Sequence, residues 1–263
     1  MKYKNDIYVT DALDGLKNIE DNSIDLIVTS PPYDKIRDYK NNYELDLRAI
    51  GKECFRVLKD GAMFCMVIQD GTKNFGKSCT TARTIVDYVD TIGFKLFEQI
   101  VYKKVGSPGA WWNKRFRVDH EYILLFLKGY RPKYFNKEPL KLPAKHAGET
   151  FHGTQRLTDG STIKNKKSII SDTKCRGTIW EYFGKTERNK LKAQHPATFP
   201  DQLAKDLIMC FSQEQDVVLD IFAGSGTTLR MAKNVKRNFI GFEISQEYAN
   251  LAKQMLNMEK QNA

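Results

Sequence analysis

A chain of 263 residues, 41% hydrophobic and 28% charged, can bury one large core. It has no apolar run near the ~20 residues that a bilayer span needs. The first residues, MKYKNDIYVTDALDG, lack the apolar centre of a secretory signal, so the expectation is a cytoplasmic protein with no membrane partner.

In chain order, residues 24–29 (IDLIVT) form a short apolar run that stops at Ser30-Pro31-Pro32, which predicts a strand buried on both faces. Residues 43–58 have helical spacing and end before Asp60-Gly61, and residues 62–68 (AMFCMVI) predict a second buried strand. A helical period returns over 78–91, Gly93 ends it, and strand-like stretches follow over 95–102 and 121–127. This rhythm implies an α/β fold with a parallel sheet covered on both faces. From Gly129 to about Lys192 the rhythm fails. Gly, Pro, Lys, Thr and Ser dominate there, which predicts a loop-rich insert instead of more sheet. After it come a helix over 200–211, a strand over 217–221, a glycine turn, a helix over 227–234, a strand over 239–243 and a last helix from Gln246.

Charge is placed unevenly. Between Lys128 and Lys192 there are 16 basic and 6 acidic residues, 16 − 6 = +10, which is the whole net charge of the chain. Such a segment suits a phosphate-bearing partner; a solvated basic loop is the plainer alternative. The five cysteines are scattered and never spaced C-x-x-C, against a disulfide framework or a thiolate zinc site, and His120, His146 and His152 lack ligand spacing. No metal is expected.

Two motifs carry chemistry. Asp220-Ile221-Phe222-Ala223-Gly224-Ser225-Gly226-Thr227-Thr228 joins a buried strand to a helix, where glycines let a ligand approach the backbone and helix amides are unspent. Dinucleotide, mononucleotide and nucleoside-methionine binders all use such a turn, but no G-K-[ST] follows and Leu229 stands where a third glycine would. Glu243 ends the next strand, where a carboxylate accepts hydrogen bonds from ribose hydroxyls; capping the following helix is its plainer role. The second motif, Thr29-Ser30-Pro31-Pro32-Tyr33, also ends a buried strand. Two prolines fix main-chain carbonyls, Ser30 offers an acceptor and Tyr33 a ring to stack on, a set that can hold an amino-substituted heterocycle. Its plainer reading is a proline turn. None of the cysteines follows a proline, so a Pro-Cys nucleophile for carbon methylation is absent.

Together these strings resemble the catalytic and cofactor motifs of amino-methylating DNA methyltransferases, and the catalytic-first order resembles the circularly permuted β group of the N4-cytosine/N6-adenine family. The resemblance implies a Rossmann-like S-adenosyl-L-methionine-dependent methyltransferase sheet with helices on both faces and a basic target-recognition insert. It divides the chain into a catalytic part (1–127), a target-recognition region (128–192) and a cofactor-binding part (193–263). Ser30, Pro31, Pro32 and Tyr33 then take catalytic roles. Asp11 with Ala12, Thr29, the turn from Asp220 and Phe222 to Thr227, and Glu243 would contact S-adenosyl-L-methionine. So would Thr198, Phe199 and Pro200, which precede the helix over the methionine end. Serine before Pro-Pro implies N4 of cytosine, with N6 of adenine as the alternative. An RNA or protein amino-methyltransferase, or a DNA-binding module that has lost catalysis, stands further off. Duplex DNA is the implied partner; a cognate restriction endonuclease and a homodimer would accompany some members of the group. Aromatic and cationic residues nominate Trp111, Trp112, Lys114, Arg115, Arg117, Lys164, Lys166, Lys167 and Arg176 for DNA contact. Residues 34–39 could form a lid or a plain surface loop.

Overall fold

The computed structural model describes residues 5–32, 45–105, 115–183 and 199–258. They fall into two compact units, one of residues 1–136 with 178–263 and one of residues 137–177. Among the described residues no helix is long and apolar enough to cross a membrane, and no cluster of His, Cys, Asp or Glu is placed to hold a metal ion.

The larger unit is built on one sheet. Its strands are β1 (Asp6–Val9), β2 (Ile24–Thr29), β3 (Leu58–Ile68), β4 (Lys95–Val105), β5 (His120–Leu127), β6 (Ile179–Phe183), β7 (Val217–Asp220) and β8 (Asn238–Glu243). Its helices are α1 (Ala12–Lys17), α2 (Leu47–Val57), α3 (Thr80–Val86, continued by a π-helical turn Asp87–Ile92), α4 (Asp201–Phe211), α5 (Thr227–Asn234) and α6 (Gln246–Met258). The strand order is β1-β8-β7-β2-β3-β5-β4-β6. Every neighbouring pair is parallel except those of β5, which runs against both β3 and β4. The expectation of a wholly parallel sheet is thus corrected at one strand. β5 is buried along most of its length, as a central parallel strand would be, and burial does not encode direction.

Side-chain alternation on β3 separates two helical layers. Phe64, Met66 and Ile68 join the core made with α1, α2 and Tyr88, whereas Cys65 faces Cys210 of α4. Helix α2 fits its layer because Ile50, Gly51, Cys54 and Val57 share a buried stripe and Asp46 caps it, accepting from the Ala49 amide at 2.9 Å. The centre of that layer is aromatic. Phe64 has ring centroids of Tyr88, Phe94 and Phe126 at 5.9, 6.0 and 6.2 Å, and the Tyr88 hydroxyl donates to the Leu47 carbonyl at 2.8 Å.

Residues 137–177 form an interrupted two-stranded antiparallel ribbon. Lys141–Pro143 pairs with Thr173–Cys175, Thr150–Phe151 with Ser168–Ile169, and Thr154–Arg156 with Thr162–Lys164. Single bonds such as Ala144 N to Asp172 O (2.8 Å) and Asn165 N to Gly153 O (2.8 Å) bridge the gaps. Every paired residue is exposed. This unit is narrower than the insert expected over 128–192. Residues 128–136 belong to the larger unit, and Ile179–Phe183 is a sheet strand, paired with Val101–Val105, not a loop. Trp180 and Tyr182 point inward while Ile179, Glu181 and Phe183 are exposed, a half-buried edge pattern.

Removing the Phe64 ring should leave a void at the centre of the aromatic cluster. Phe64→Ala is expected to lose about 3–5 kcal/mol in urea denaturation; a loss under ~1 kcal/mol would show that the cluster repacks.

Candidate active site at the carboxyl edge of the sheet

Strands β1, β8, β7, β2 and β3 all deliver their carboxyl ends to one edge. The chain leaves β7 through α5 to reach β8 on one side and leaves β2 through α2 to reach β3 on the other. The crevice between β7 and β2 is therefore the switch point, where open α/β sheets bind ligands. It brings the two sequence motifs together.

On the β2 side, Thr29 is fully buried, Pro31 is buried, and Ser30 and Pro32 are half-buried at the rim. The Thr29 hydroxyl donates to Asp220 Oδ1 at 2.7 Å, which ties the residue before Ser30 to the residue that opens the glycine turn. Asp220 Oδ1 also accepts from the Phe222 amide at 3.1 Å, and Thr228 bonds the same carboxylate while its hydroxyl lies 3.3 Å from the Val28 carbonyl. Asp220 is 2% exposed, so it holds the turn from beneath. Burial pushes its carboxyl up to about 6; its hydrogen bonds to Thr29, Thr228 and Phe222 oppose the rise and the Glu243 charge adds to it.

The turn itself is small and backbone-rich. Gly224 (φ +50°) and Gly226 (φ +80°) occupy left-handed positions that glycine adopts at little cost. A Cβ on Gly226 would also stand 3.0 Å from the Ala252 Cβ of α6. Gly226 caps α5 without a side chain, so that helix begins with main-chain donors alone. Phe222 is partly buried, and Ala223, Ser225 and Thr227 are buried.

Glu243 closes the other wall. Its Oε2 accepts from the Gly224 amide and its Oε1 from the Ser245 amide, both at 2.9 Å, and burial raises its carboxyl above the usual range. Asp11 stands beside it, because the Thr10 amide donates to the Glu243 carbonyl at 3.1 Å. Asp11 caps α1, accepting from the Leu13 amide (2.8 Å) and the Asp14 amide (3.4 Å), and Ala12 is the buried first residue of that helix. Beside these acids, Val9 and Ile244 remain 43% and 54% exposed, an apolar lip that no sequence pattern signals. Phe199 and Pro200 are half-buried at the entrance to α4, where the Pro200 carbonyl accepts from the Leu203 amide at 3.0 Å. Asp201 of α4 pairs with Arg230 of α5, which ties the two helices to each other.

The remaining expected residues lie elsewhere. Tyr33, residues 34–39, Trp111, Trp112, Lys114 and Thr198 are outside the described residues. Arg115 is half-buried and donates from Nη1 to the Phe75 carbonyl at 2.7 Å; Arg117 is exposed. Lys164, Lys166 and Lys167 are exposed on the ribbon unit, and Arg176 is half-buried there, its amide bonded to the Leu140 carbonyl at 2.9 Å.

Acidic groups without a lysine in the turn suit a cation that also carries hydroxyls better than a phosphate. S-adenosyl-L-methionine, with a sulfonium, an ammonium and a ribose diol, meets that donor set.

Comparison with known proteins agrees. A family model described as DNA methylase, covering N6- and N4-specific methyltransferases, matches residues 24–254. The orphan methyltransferase M.BamHII of Bacillus amyloliquefaciens is 35% identical over 245 residues, 91% of each chain. The DNA adenine methyltransferase YhdJ of Escherichia coli K12 is 31% identical, over 94% of this chain and 81% of its own. Among solved structures, the PvuII DNA methyltransferase (cytosine-N4-specific) superposes with a TM-score of 0.71 at 22% identity, covering 94% of this chain and 84% of that one. The Thermus thermophilus modification methylase TTHA0409, complexed with S-adenosyl-L-methionine, gives 0.65 at 26% identity, covering 97% and 93%. The chain belongs to the N6/N4 DNA methylase family. It is an S-adenosyl-L-methionine-dependent DNA methyltransferase of mixed α/β, Rossmann-like fold.

The buried Asp220 has a pH signature. Its folded pKa, about 6, lies above the ordinary 3.8, so its proton stabilises the fold below pH 4 and that contribution is lost as pH rises through 6. Asp220→Asn keeps an acceptor oxygen but removes the titration. Between pH 4 and pH 7, urea midpoints should shift in favour of the variant, by an amount on the order of 2–3 kcal/mol. A difference independent of pH would mean that Asp220 is ionised at its ordinary value.

Proposed function

We propose that the enzyme methylates N4 of cytosine in duplex DNA. The observation that carries this reading is Ser30, a hydroxyl residue at the head of the proline pair and at the rim of the crevice, directly after the residue hydrogen-bonded to Asp220.

The crevice supports the following roles. Glu243 and Asp11 would hold the ribose and adenine of S-adenosyl-L-methionine, with the exposed Val9 and Ile244 offering apolar surface beside them. The turn from Phe222 to Thr227 would hold the methionine portion, with Phe199 and Pro200 at the entrance to α4 contributing to the same site. When bound, the cofactor supplies a methyl group on a sulfonium leaving group. Ser30 Oγ and a main-chain carbonyl of the proline pair accept hydrogen bonds from the two amine hydrogens of the base. These bonds turn the nitrogen lone pair out of conjugation and toward the methyl group. The N–C bond would form as the sulfonium S–C bond breaks to leave a neutral thioether, and the methylated nitrogen would then lose one proton to water at the rim of the crevice. No covalent nucleophile is required, and the ring of Tyr33 would be available for the base to stack on. Reaching the amine requires the base to leave the duplex stack, at a cost of a few kcal/mol.

The ribbon unit is the DNA-reading element of the enzyme. Residues 137–177 hold 9 basic and 4 acidic residues, 9 − 4 = +5, and a two-stranded ribbon is one of the shapes the major groove admits. Lys164, Lys166 and Lys167 face phosphate in that arrangement.

Two variants separate the roles. Ser30→Ala should bind S-adenosyl-L-methionine within about twofold of wild type by calorimetry while transfer of tritiated methyl to plasmid DNA falls on the order of 100-fold. Glu243→Ala should weaken cofactor binding at least ~10-fold. Transfer at the wild-type rate by the Ser30 variant would remove Ser30 from the mechanism.

A further inference from the structure

We infer that Phe75 is the residue that enters the DNA stack where the target base leaves it, which rests on the DNA methyltransferase reading above. Phe75 tops a hairpin that follows β3. That strand pairs in parallel with β2, Met66 opposite Thr29, so the hairpin rises from the same sheet edge as Ser30-Pro31-Pro32.

The hairpin is braced. Thr72–Lys73 pairs with Gly76–Lys77, Gly71 N donates to Ser78 Oγ and Ser78 N to Gly71 O, both at 3.1 Å. Asp70 Oδ1 accepts from the Thr81 amide at 2.8 Å and Gln69 Nε2 donates to the His120 carbonyl at 2.9 Å, which anchors the base of the hairpin to α3 and β5. A stiff support is what a wedge needs.

Its tip is costly as local structure. Asn74 (φ +48°) and Phe75 (φ +62°) are both left-handed, as a two-residue hairpin turn demands. Asn suits that region, whereas a bulky aromatic residue there is an outlier. Glycine, the least strained occupant, stands one position later at Gly76. The ring is also 64% exposed, so it stands outside the hydrophobic core and open to a ligand. Strain of this kind points to use by a ligand.

The surroundings name the ligand chemistry. Lys73, Lys77 and Arg117 are exposed, and Arg115 donates to the Phe75 carbonyl at 2.7 Å. Exposed lysines on both strands of a hairpin that presents an aromatic ring suit the phosphates that flank a base step. Apolar wedges inserted between base steps hold distorted duplexes in just this way. A ring in the vacated position restores the stacking that the neighbouring bases lose when the target swings out.

The test uses the full chain and first reads, from wild-type methylation of a plasmid, which sequence it modifies. A 24-base-pair duplex carrying that site is then made in two forms, fully paired and with an abasic position opposite the target base. Phe75→Gly, which relieves the strained φ, should melt no lower than wild type. On the paired duplex its kcat/KM should fall about tenfold or more, and on the abasic duplex it should return to within about twofold of wild type. Wild-type rates on the paired duplex, or an equal loss on both duplexes, would overturn the proposal. No methylation of the plasmid by wild type would instead overturn the DNA methyltransferase reading on which it rests.

Discussion

A buried hydrogen bond from Thr29 Oγ1 to Asp220 Oδ1 links residues 191 positions apart and sets the two halves of the crevice against each other. One partner precedes the proline pair, the other opens the glycine turn. Because Asp220 also accepts from the Phe222 amide, the same carboxylate that fixes the end of β2 fixes the start of the turn. A polar group with 2% exposure is costly unless bonded, so the arrangement has little freedom to slide. Relative placement of donor and acceptor to within an ångström is what a direct transfer between two bound molecules requires.

Electrostatics divides the work of the protein between regions of opposite sign. The crevice is acidic: Asp220 and Glu243 are both raised by burial, and Asp220 is raised further by the neighbouring Glu243 charge. A cationic cofactor would relieve that repulsion. The ribbon unit and the Phe75 hairpin are basic and exposed, and they suit a polyanion. The glycine turn carries no lysine that would attract a phosphate.

Much of the sheet is legible in the sequence because buried strands such as Ile24–Thr29 and Ala62 to Ile68 are continuous apolar runs. Where patterns are weaker, legibility falls. β1 has four residues with only Ile7 buried, and α1 has six, so neither makes a periodic signal. β6 shows only Trp180 and Tyr182 to the core, and in sequence it blends into the loop-rich insert. Leu58 looks like the end of a helix and begins β3 instead. The site motifs are legible as local strings, yet the inward bonds of Asp220 and the helix cap made by Asp11 depend on partners that only the fold supplies. Phe75 carries no signal, since Asn-Phe-Gly between lysines reads as an ordinary turn.

The central claim is that the residues around Ser30 present the amine of cytosine to the methyl group. Its most direct test is chemical identification of the product. The protein is incubated with mixed-sequence duplex DNA and tritiated S-adenosyl-L-methionine, the DNA is digested to nucleosides, and these are separated and weighed. The predicted result is label in N4-methylcytosine; label in N6-methyladenine would contradict the claim.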